Sequence, residues 1–156
     1  MAWTELLTAT DRVRAHTAAD VQTRLDEALR QRVADAVEAS DDHIAARLDD
    51  LDHEWDIERV LEVNAATIAG LGVTAGLLAR RRGVLLLPLA VMLFLLQHGL
   101  QGWCPPLAIF RRREVRTRRE IDLERYALKA LRGDFTGGQR PSIDSVDSLL
   151  DAAARR

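Results

Sequence analysis

The sequence predicts an all-α integral membrane protein whose centre is a hairpin of two transmembrane helices, with amphipathic cytoplasmic helices on both sides. Residues 63–79 and 83–110 contain no Asp, Glu, Lys or Arg, although such residues make up 29% of the chain. Only three arginines, Arg80 to Arg82, separate the two stretches. Outside them, apolar residues recur at helical spacing. The mean hydropathy of −0.12 therefore averages two different kinds of segment.

The charged residues are divided unevenly along the chain. Residues 1–58 contain 15 acidic and six basic residues, whereas residues 103–135 contain nine basic and five acidic residues. The net charge of −2 is thus the sum of an acidic arm and a basic arm. The one cysteine, Cys104, excludes an intramolecular disulfide and a cysteine-based metal cluster.

The N-terminal region, residues 1–55, is predicted to form acidic amphipathic helices. One apolar stripe has a four-residue spacing: Val21, Leu25, Leu29, Val33 and Val37. This spacing is slanted around a straight helix and suits packing against a partner surface. Ser40 and Asp41 can cap a second helix, which we expect to continue without a break into the apolar segment near Val60.

The transmembrane hairpin is predicted within residues 56–110, with spans at about 58–79 and 83–103. The charge-free part of the first span is short for a bilayer, but flanking arginines can reach the headgroups. A three-residue link forces the two helices to run antiparallel. The alternative, one long helix, would place Arg80 to Arg82 in the membrane centre at about 2.5 to 3.5 kcal/mol each, so the hairpin is favoured.

Two further segments follow the hairpin. Residues 111–135 are predicted to be a basic interfacial helix, since Thr117-Arg-Arg-Glu120 matches a capping box and Gly133 can end the helix. Residues 136–156 are predicted to be a flexible tail, in which Ser142 to Ala154 can form a short helix. The first twenty residues lack a secretory signal, so the hairpin itself is expected to drive membrane entry.

Small residues form a helix-packing seam along the first span: Ala65, Ala69, Gly72, Gly76 and Ala79. Small residues allow two helix backbones to approach closely in a membrane. Packing within the hairpin is the favoured interpretation of this seam. Self-association of two copies across it is the alternative, and both can hold if the seam is shared.

Five residues near the ends of the spans form a possible polar site: Asn64, Gln97, His98, Gln101 and Cys104. An ionisable residue within a membrane is a functional candidate, but a structural histidine bonded to Asn64 or water is the more common outcome. Cys104 has no activating partner at motif spacing, so a role as filler or weak thiol is favoured over a nucleophile. No catalytic, metal or cofactor site is predicted.

Six arginines that follow the hairpin are predicted to contact anionic lipid headgroups: Arg111, Arg112, Arg113, Arg116, Arg118 and Arg119. Much of this charge can instead face the acidic arm of the same chain. The adjoining apolar segment makes lipid a better partner than nucleic acid. Six arginines here against three at the link favour both termini of a multi-pass protein in the cytoplasm; the resemblance described next implies that the membrane is the bacterial inner membrane.

Three stretches, at 54–67, 96–107 and 124–135, read EWDIERVLEVNAAT, LQHGLQGWCPPL and ERYALKALRGDF. They resemble the YgaP-like inner-membrane transmembrane family of bacteria. The resemblance covers about half of the chain and implies a hairpin in the cytoplasmic membrane that can dimerise. The family's namesake also has a rhodanese domain with a catalytic cysteine. This chain departs from that plan, because its N-terminal arm has no cysteine, so the sulfurtransferase activity is not carried over.

The sequence favours a non-enzymatic membrane anchor or scaffold that self-associates or belongs to a larger membrane complex. The alternative is a small oligomeric transporter or channel subunit, with a sulfur-related role as one version. Its polar lining would have to come from five residues: Asn64, Thr67, Thr74, Gln97 and His98. An enzyme that uses Cys104 and His98 has the least support.

Overall fold

The structure is a computed structural model that describes residues 2–137 and 145–155. These residues are all-helical and contain no β-strand. They form nine α-helices and one 3-10 turn, Arg82–Leu85, which precedes α6. The helices are α1 (Trp3–Thr10), α2 (Arg12–Ala15), α3 (Ala19–Val37), α4 (Asp41–His53), α5 (Ile57–Leu78), α6 (Leu86–Gln101), α7 (Pro105–Arg112), α8 (Arg118–Arg132) and α9 (Val146–Ala154).

Short polar side chains begin most of these helices. A side-chain oxygen accepts a backbone N–H of the first turn at Asp11, Ser40, Asp56, Thr117 and Ser145. Such caps satisfy amide groups that have no partner within the helix. The predicted capping box of Thr117 and Glu120 is present, and Gly133 ends α8 in the left-handed conformation, so both predictions are confirmed.

The main hydrophobic core combines helices from before and after the apolar segment. α1, α3 and α4 contribute Trp3, Leu29 and Ile44, whereas α8 and α9 contribute Ile121 and Leu150. Of these side chains only Trp3 is more than 2% exposed. We call this unit, residues 2–53 with 118–137 and 145–155, the helical domain. The helices before α5 and the helices after α6 share one core. The beginning of α5 and the end of α6 are therefore both attached to this domain.

The apolar stripe of α3 packs inside this domain. Val21, Leu25, Leu29 and Val33 are all buried, and α3 contacts α8 and α9. The prediction that the stripe meets a partner surface is therefore wrong for the isolated chain. A stripe is complementary to any apolar face, and the sequence did not show that α8 and α9 of the same chain supply that face.

The C-terminal segment also contributes to the main core. α9 buries Leu149, Leu150 and Ala153 in the main core, and its Asp147 pairs with Arg30 on α3 at 2.9 Å. The short helix predicted within this tail is thus present over Val146–Ala154, and it packs in the main core. The predicted linker and helix start at residues 138–144 lie outside the described residues.

Two helical stretches of the described residues are long and apolar enough to cross a membrane, Asp41–Leu78 and Arg82–Gln101. Each stretch contains an apolar segment of 18 residues, of which only 17% and 6%, respectively, is buried. The first stretch is interrupted, since α4 ends at His53 and α5 begins at Ile57. The predicted continuous helix is wrong here because the Asp56 carboxylate accepts the N–H of Arg59 at 2.8 Å and begins a new helix.

Candidate functional site

The end of α6 meets the helical domain at Arg12. Its Nη1 donates to the carbonyl oxygens of Gly99 and Leu100, at 3.3 and 3.2 Å. These carbonyls lie in the last turn of α6, where partners within the helix run out and a positive charge is favourable. Gly102 follows with a φ of 72°, and a Cβ built on it would lie 2.5 Å from Arg12 Cβ. Arg12 and Gly102 therefore hold the domain directly against the end of the apolar helix.

A small apolar cluster lies beneath this contact. It consists of Val13, Ile57, Leu61, Cys104 and Leu107, from α2, α5 and the start of α7. The Ile57 N–H also donates to the Arg116 carbonyl oxygen at 2.9 Å. We call this region the junction, because it joins the first turns of α5 and the end of α6 to the helical domain.

A polar cleft of about 490 Å³ opens at the junction. Its walls include Asp11, Arg12, Glu58, Glu62, His98 and Arg119. Three buried atoms of this wall have no hydrogen-bond partner in the part of the chain that the structure describes, namely Asp11 Oδ2, Glu58 Oε2 and His98 Nδ1. Buried polar atoms without partners are uncommon and costly. The cleft thus combines both signs of charge with unsatisfied acceptors, at the point where the apolar helices end.

The five residues of the predicted polar site do not come together. Asn64 donates to the Val60 carbonyl oxygen of its own helix at 2.7 Å, so the expected bond with His98 is absent. Gln97 reaches only Gln101, at 3.5 Å. His98 instead lines the polar cleft, whereas Asn64 and Cys104 line an apolar cavity. The prediction of one shared site is therefore wrong.

The apolar cavity has a volume of about 130 Å³ and lies between α5, α6 and α7. Its wall includes Ala65, Ile68, Phe94, Cys104 and Phe110. Cys104 is 3% exposed, and this burial raises the pKa of its thiol. A raised thiol pKa opposes formation of the reactive thiolate. Cys104 therefore has the environment of an apolar filler.

Two buried carboxylates on α8 organise the helical domain. Glu120 accepts both Nη1 and Nη2 of Arg111 at 2.7 and 2.8 Å, Nη1 of Arg14 at 3.0 Å and the Thr117 N–H at 2.9 Å. Burial opposes its ionisation, but Arg111, Thr117 and Arg14 outweigh burial and lower the pKa of Glu120 to about 2. This carboxylate is the common partner of α2, α7 and α8.

Glu124, one helical turn later, is the second centre. Its oxygens accept from Arg32 at 3.0 Å and from Arg47 at 2.8 Å, and Arg116 is a third donor. Arg116 also pairs with Glu54 at 2.5 Å. Burial opposes ionisation of Glu124, but the three guanidinium groups lower its pKa. α3 and α4 are thereby joined to α8 through one fully buried carboxylate.

These ion pairs correct the predicted headgroup contacts. Arg111 and Arg116 are 1% and 5% exposed and are engaged with Glu120 and Glu124, so headgroup contact is wrong for both. The stated alternative, that this charge faces the acidic arm, holds for Arg116, which pairs with Glu54, whereas the carboxylate partner of Arg111 is Glu120 of α8. Four predicted residues remain exposed: Arg112, Arg113, Arg118 and Arg119. The helix α8 is likewise a core helix, with Ile121, Ala127 and Leu128 buried.

The small-residue seam faces α6 at its two glycines. A Cβ on Gly72 would lie 2.9 Å from Pro88 Cδ, and one on Gly76 would lie 2.7 Å from Leu85 Cδ2. Ala65 is buried and lines the apolar cavity. Ala69 lies in a shallow groove with Pro88, and Ala79 is exposed at the end of α5. Gly72 therefore packs against Pro88 of α6, and Gly76 packs against Leu85 of the 3-10 turn.

The acidic residues of the polar cleft and Arg12 are not among the predicted site residues, whereas Arg118 and Arg119 of its wall are two of the predicted headgroup contacts. Glu58 and Glu62 are four residues apart, which places them on one face of α5, and this signal was available. Asp11 and Arg12 come from a helix of only four residues, whose position at the end of α6 has no local signature. The described residues contain no group of His, Cys, Asp and Glu suited to a metal ion.

Comparisons of the chain with protein-family models, curated proteins and solved structures give no significant match. The resemblance to the YgaP-like family stays a prediction from the sequence. The candidate functional site is the junction with its polar cleft. The buried carboxylates Glu120 and Glu124 of α8 hold together the helical domain to which the junction is attached.

Proposed function

We propose that this chain is a non-enzymatic membrane anchor, in which α5 and α6 form a bilayer-spanning hairpin that carries a helical domain on the cytoplasmic side. The observation that carries the proposal is the exposure of the two apolar helices. Only 17% and 6% of their 18-residue apolar segments are buried, and side chains such as Leu71, Leu78 and Leu100 are 67% to 82% exposed. A contiguous apolar surface of this size requires lipid or a partner.

The helical domain supports a hairpin over two independent helices. Residues before α5 and after α6 share the main core and the ion pairs of Glu120 and Glu124. A second crossing is needed to return the chain to the side from which it came. The link at Arg80 to Arg82 then lies on the far side, where exposed arginines can remain in water or at headgroups.

A scaffold role, in self-association or in a larger membrane complex, is the second part of the proposal. The domain's own core is filled by its own helices, so partners would dock on exposed surfaces. Within the bilayer, Gly70 has nothing within 4 Å of a built Cβ, unlike Gly72 and Gly76. The exposed face of α5 around Gly70, which borders the shallow groove with Pro88 and Leu89 of α6, is therefore the side left for a second helix.

The transporter alternative has less support. Three of its proposed lining residues, Asn64, Thr67 and Thr74, each donate to a carbonyl oxygen of their own helix, at 2.7, 2.7 and 2.9 Å. Their polar groups are satisfied locally and need no aqueous path. We therefore keep the anchor as the proposed function.

The direct test is alkaline carbonate extraction of membranes from cells that produce the full chain. An integral hairpin stays in the membrane pellet, whereas a peripheral protein is released. A matched control replaces Leu71, Leu93 and Leu96, three exposed residues of α5 and α6, by Lys, because each buried charge costs about 2.5 to 3.5 kcal/mol at the membrane centre. Release of the unmodified chain would refute the anchor.

A further inference from the structure

The polar cleft contains hydrogen-bond acceptors that have no partner among residues 2–137 and 145–155. Asp11 is 8% exposed, and its Oδ1 accepts the N–H groups of Val13 and Arg14 at 2.9 and 3.2 Å. Its Oδ2 has no partner. Glu58 Oε2 and His98 Nδ1 likewise have no hydrogen-bond partner among the described residues. Asp11, Glu58 and His98 all line the cleft. A donor-rich ligand would complete this set.

The same cleft also carries positive groups. Arg12, Arg118 and Arg119 line it together with the acidic residues. Guanidinium groups are suited to phosphate oxygens. A ligand that complements the cleft therefore bears an N–H-rich cation close to an anion. A divalent metal ion does not fit this description, and no group suited to a metal occurs in the described residues.

The position of the cleft indicates where the ligand comes from. Glu58 and Glu62 lie in the first two turns of α5, and His98 and Gly99 lie in the last turn of α6. If these helices span a bilayer, as proposed above, the cleft lies at headgroup depth. Lipid headgroups are then the molecules present at that depth.

We propose that the cleft binds the zwitterionic headgroup of a phospholipid that carries a primary ammonium group, as in phosphatidylethanolamine. On binding, the side chains of Asp11, Glu58 and His98 turn their buried acceptor atoms towards the cleft, and the ammonium donates its three N–H groups to them, with His98 accepting at Nδ1 when its proton is on Nε2. The phosphate pairs with Arg119, because Arg12 donates to carbonyl oxygens of α6 and Arg118 Nε lies 3.4 Å from Asp122 Oδ2. A trimethylammonium group has no N–H to donate, so phosphatidylcholine leaves the three acceptors unsatisfied.

The test is native mass spectrometry of the full chain in detergent, incubated with equal amounts of phosphatidylethanolamine and phosphatidylcholine of matched acyl chains. The loss of hydrogen bonds to charged groups predicts a preference for the ethanolamine lipid of about tenfold or more. Asp11→Asn and Glu58→Gln should each remove most of this preference. Asn still caps α2, and circular dichroism checks that both variants are folded.

Asp56→Asn is the matched control. Asp56 also caps a helix at this end of the hairpin, but it does not line the cleft, so its variant should keep the preference. Equal binding of the two lipids, or a preference that survives in both cleft variants, would overturn the proposal. Competition by soluble phosphoethanolamine as strong as that by the lipid would also overturn it, because the ligand would then be a free metabolite.

The assay separates this proposal from the anchor on which it rests. A chain that resists carbonate extraction but shows no lipid preference overturns the headgroup site and leaves the anchor in place. A chain released by carbonate overturns the anchor, and the headgroup site is lost with it.

Discussion

At the scale of residues, Glu120 and Glu124 hold the helical domain together through arginines that are distant in sequence. Buried ion pairs contribute less to stability than their Coulomb energy suggests, because two charges must leave water. Their effect on the relative orientation of the helices is more direct. Arg111 is bidentate on Glu120, and such planar pairs fix orientation. The two carboxylates therefore determine how the helices on either side of the apolar segment meet.

The low pKa of Glu120 predicts an acid-sensitive domain. The pKa falls from 4.5 to about 2 on folding, so its contribution is present above pH 4.5 and is lost as the pH falls towards 2. The difference corresponds to about 3 kcal/mol. Glu120→Gln should therefore destabilise the domain at neutral pH and flatten the decline in stability between pH 4.5 and pH 2.

The measurement is denaturant unfolding in detergent across this pH range, followed by the fluorescence of Trp3 after Trp55 and Trp103 are replaced by Phe. Trp3 is 6% exposed in the main core, so it reports on the domain. Glu27→Gln, an exposed carboxylate of α3, is the control and should follow the unmodified chain. Parallel pH profiles for Glu120→Gln and the unmodified chain would contradict the role given to Glu120.

At this scale the sequence was only partly informative. Thr117-x-x-Glu120 predicted the capping box, because all of its partners lie within four residues. It did not predict that the same carboxylate accepts Arg14 and Arg111. Those contacts depend on the tertiary arrangement of α2 and α7, and a single arginine side chain has no local signal for its partner.

At the scale of elements, helix caps and breaks were readable where the signal was local. The sequence predicts helix boundaries at Ser40 and Gly133, and in the structure Ser40 caps α4 and Gly133 ends α8. The cap at Asp56 was overlooked, because helical periodicity continues through Trp55 and hides the break. The Arg59 guanidinium lies over the Trp55 ring, 4.4 Å from its centroid. This contact joins the first turn of α5 to the connection between α4 and α5.

The close contact of Arg12 with Gly102 predicts a sharp difference between two neighbouring glycines. Gly102→Ala places a Cβ 2.5 Å from Arg12 Cβ and requires a positive φ that costs about 1 to 2 kcal/mol. Thermal unfolding should therefore occur at a lower temperature in Gly102→Ala. Gly99→Ala, where nothing lies within 4 Å, is the control and should not be destabilised. Equal melting temperatures for Gly102→Ala and Gly99→Ala would contradict this prediction, because the close contact of Arg12 with Gly102 would then not contribute to stability.

The packing of α5 on α6 predicts a second contrast, between Gly72 and Gly70. Gly72→Leu must displace the rigid ring of Pro88, since even a Cβ comes within 2.9 Å of it, and overpacking costs about 1 to 3 kcal/mol. Gly70→Leu enters open space. We expect Gly72→Leu to lower thermal stability, and Gly70→Leu to keep stability but to weaken any self-association across the exposed face of α5 around Gly70.

Size-exclusion chromatography with light scattering measures the oligomeric state in this comparison. A stable Gly72→Leu variant that loses its oligomer would instead place the seam between copies of the chain. An oligomer that survives both substitutions would move self-association away from α5 altogether.

At the scale of the whole molecule, the opposite charges of the two arms account for only part of the pairing between them. Glu54 of the acidic arm pairs with Arg116 of the basic arm, but Glu120 and Glu124 of the basic arm accept from arginines of the acidic arm. The charge counts indicated that the arms differ. They could not show that both arms build one domain, because composition contains no information on which helices share a core.

The measurement that tests the account most directly is the side of the membrane on which the link between α5 and α6 lies. Cys104→Ser removes the native thiol, and Gly83→Cys places a new thiol where nothing lies within 4 Å. Thr23→Cys, at an exposed position of α3, reports on the helical domain. In intact cells, an impermeant maleimide should label Cys at 83 and leave Cys at 23 unlabelled until the membrane is opened. Labelling of both positions to the same extent in intact cells would contradict a hairpin that spans the bilayer, whereas equal labelling after lysis is expected and shows that both thiols are reactive.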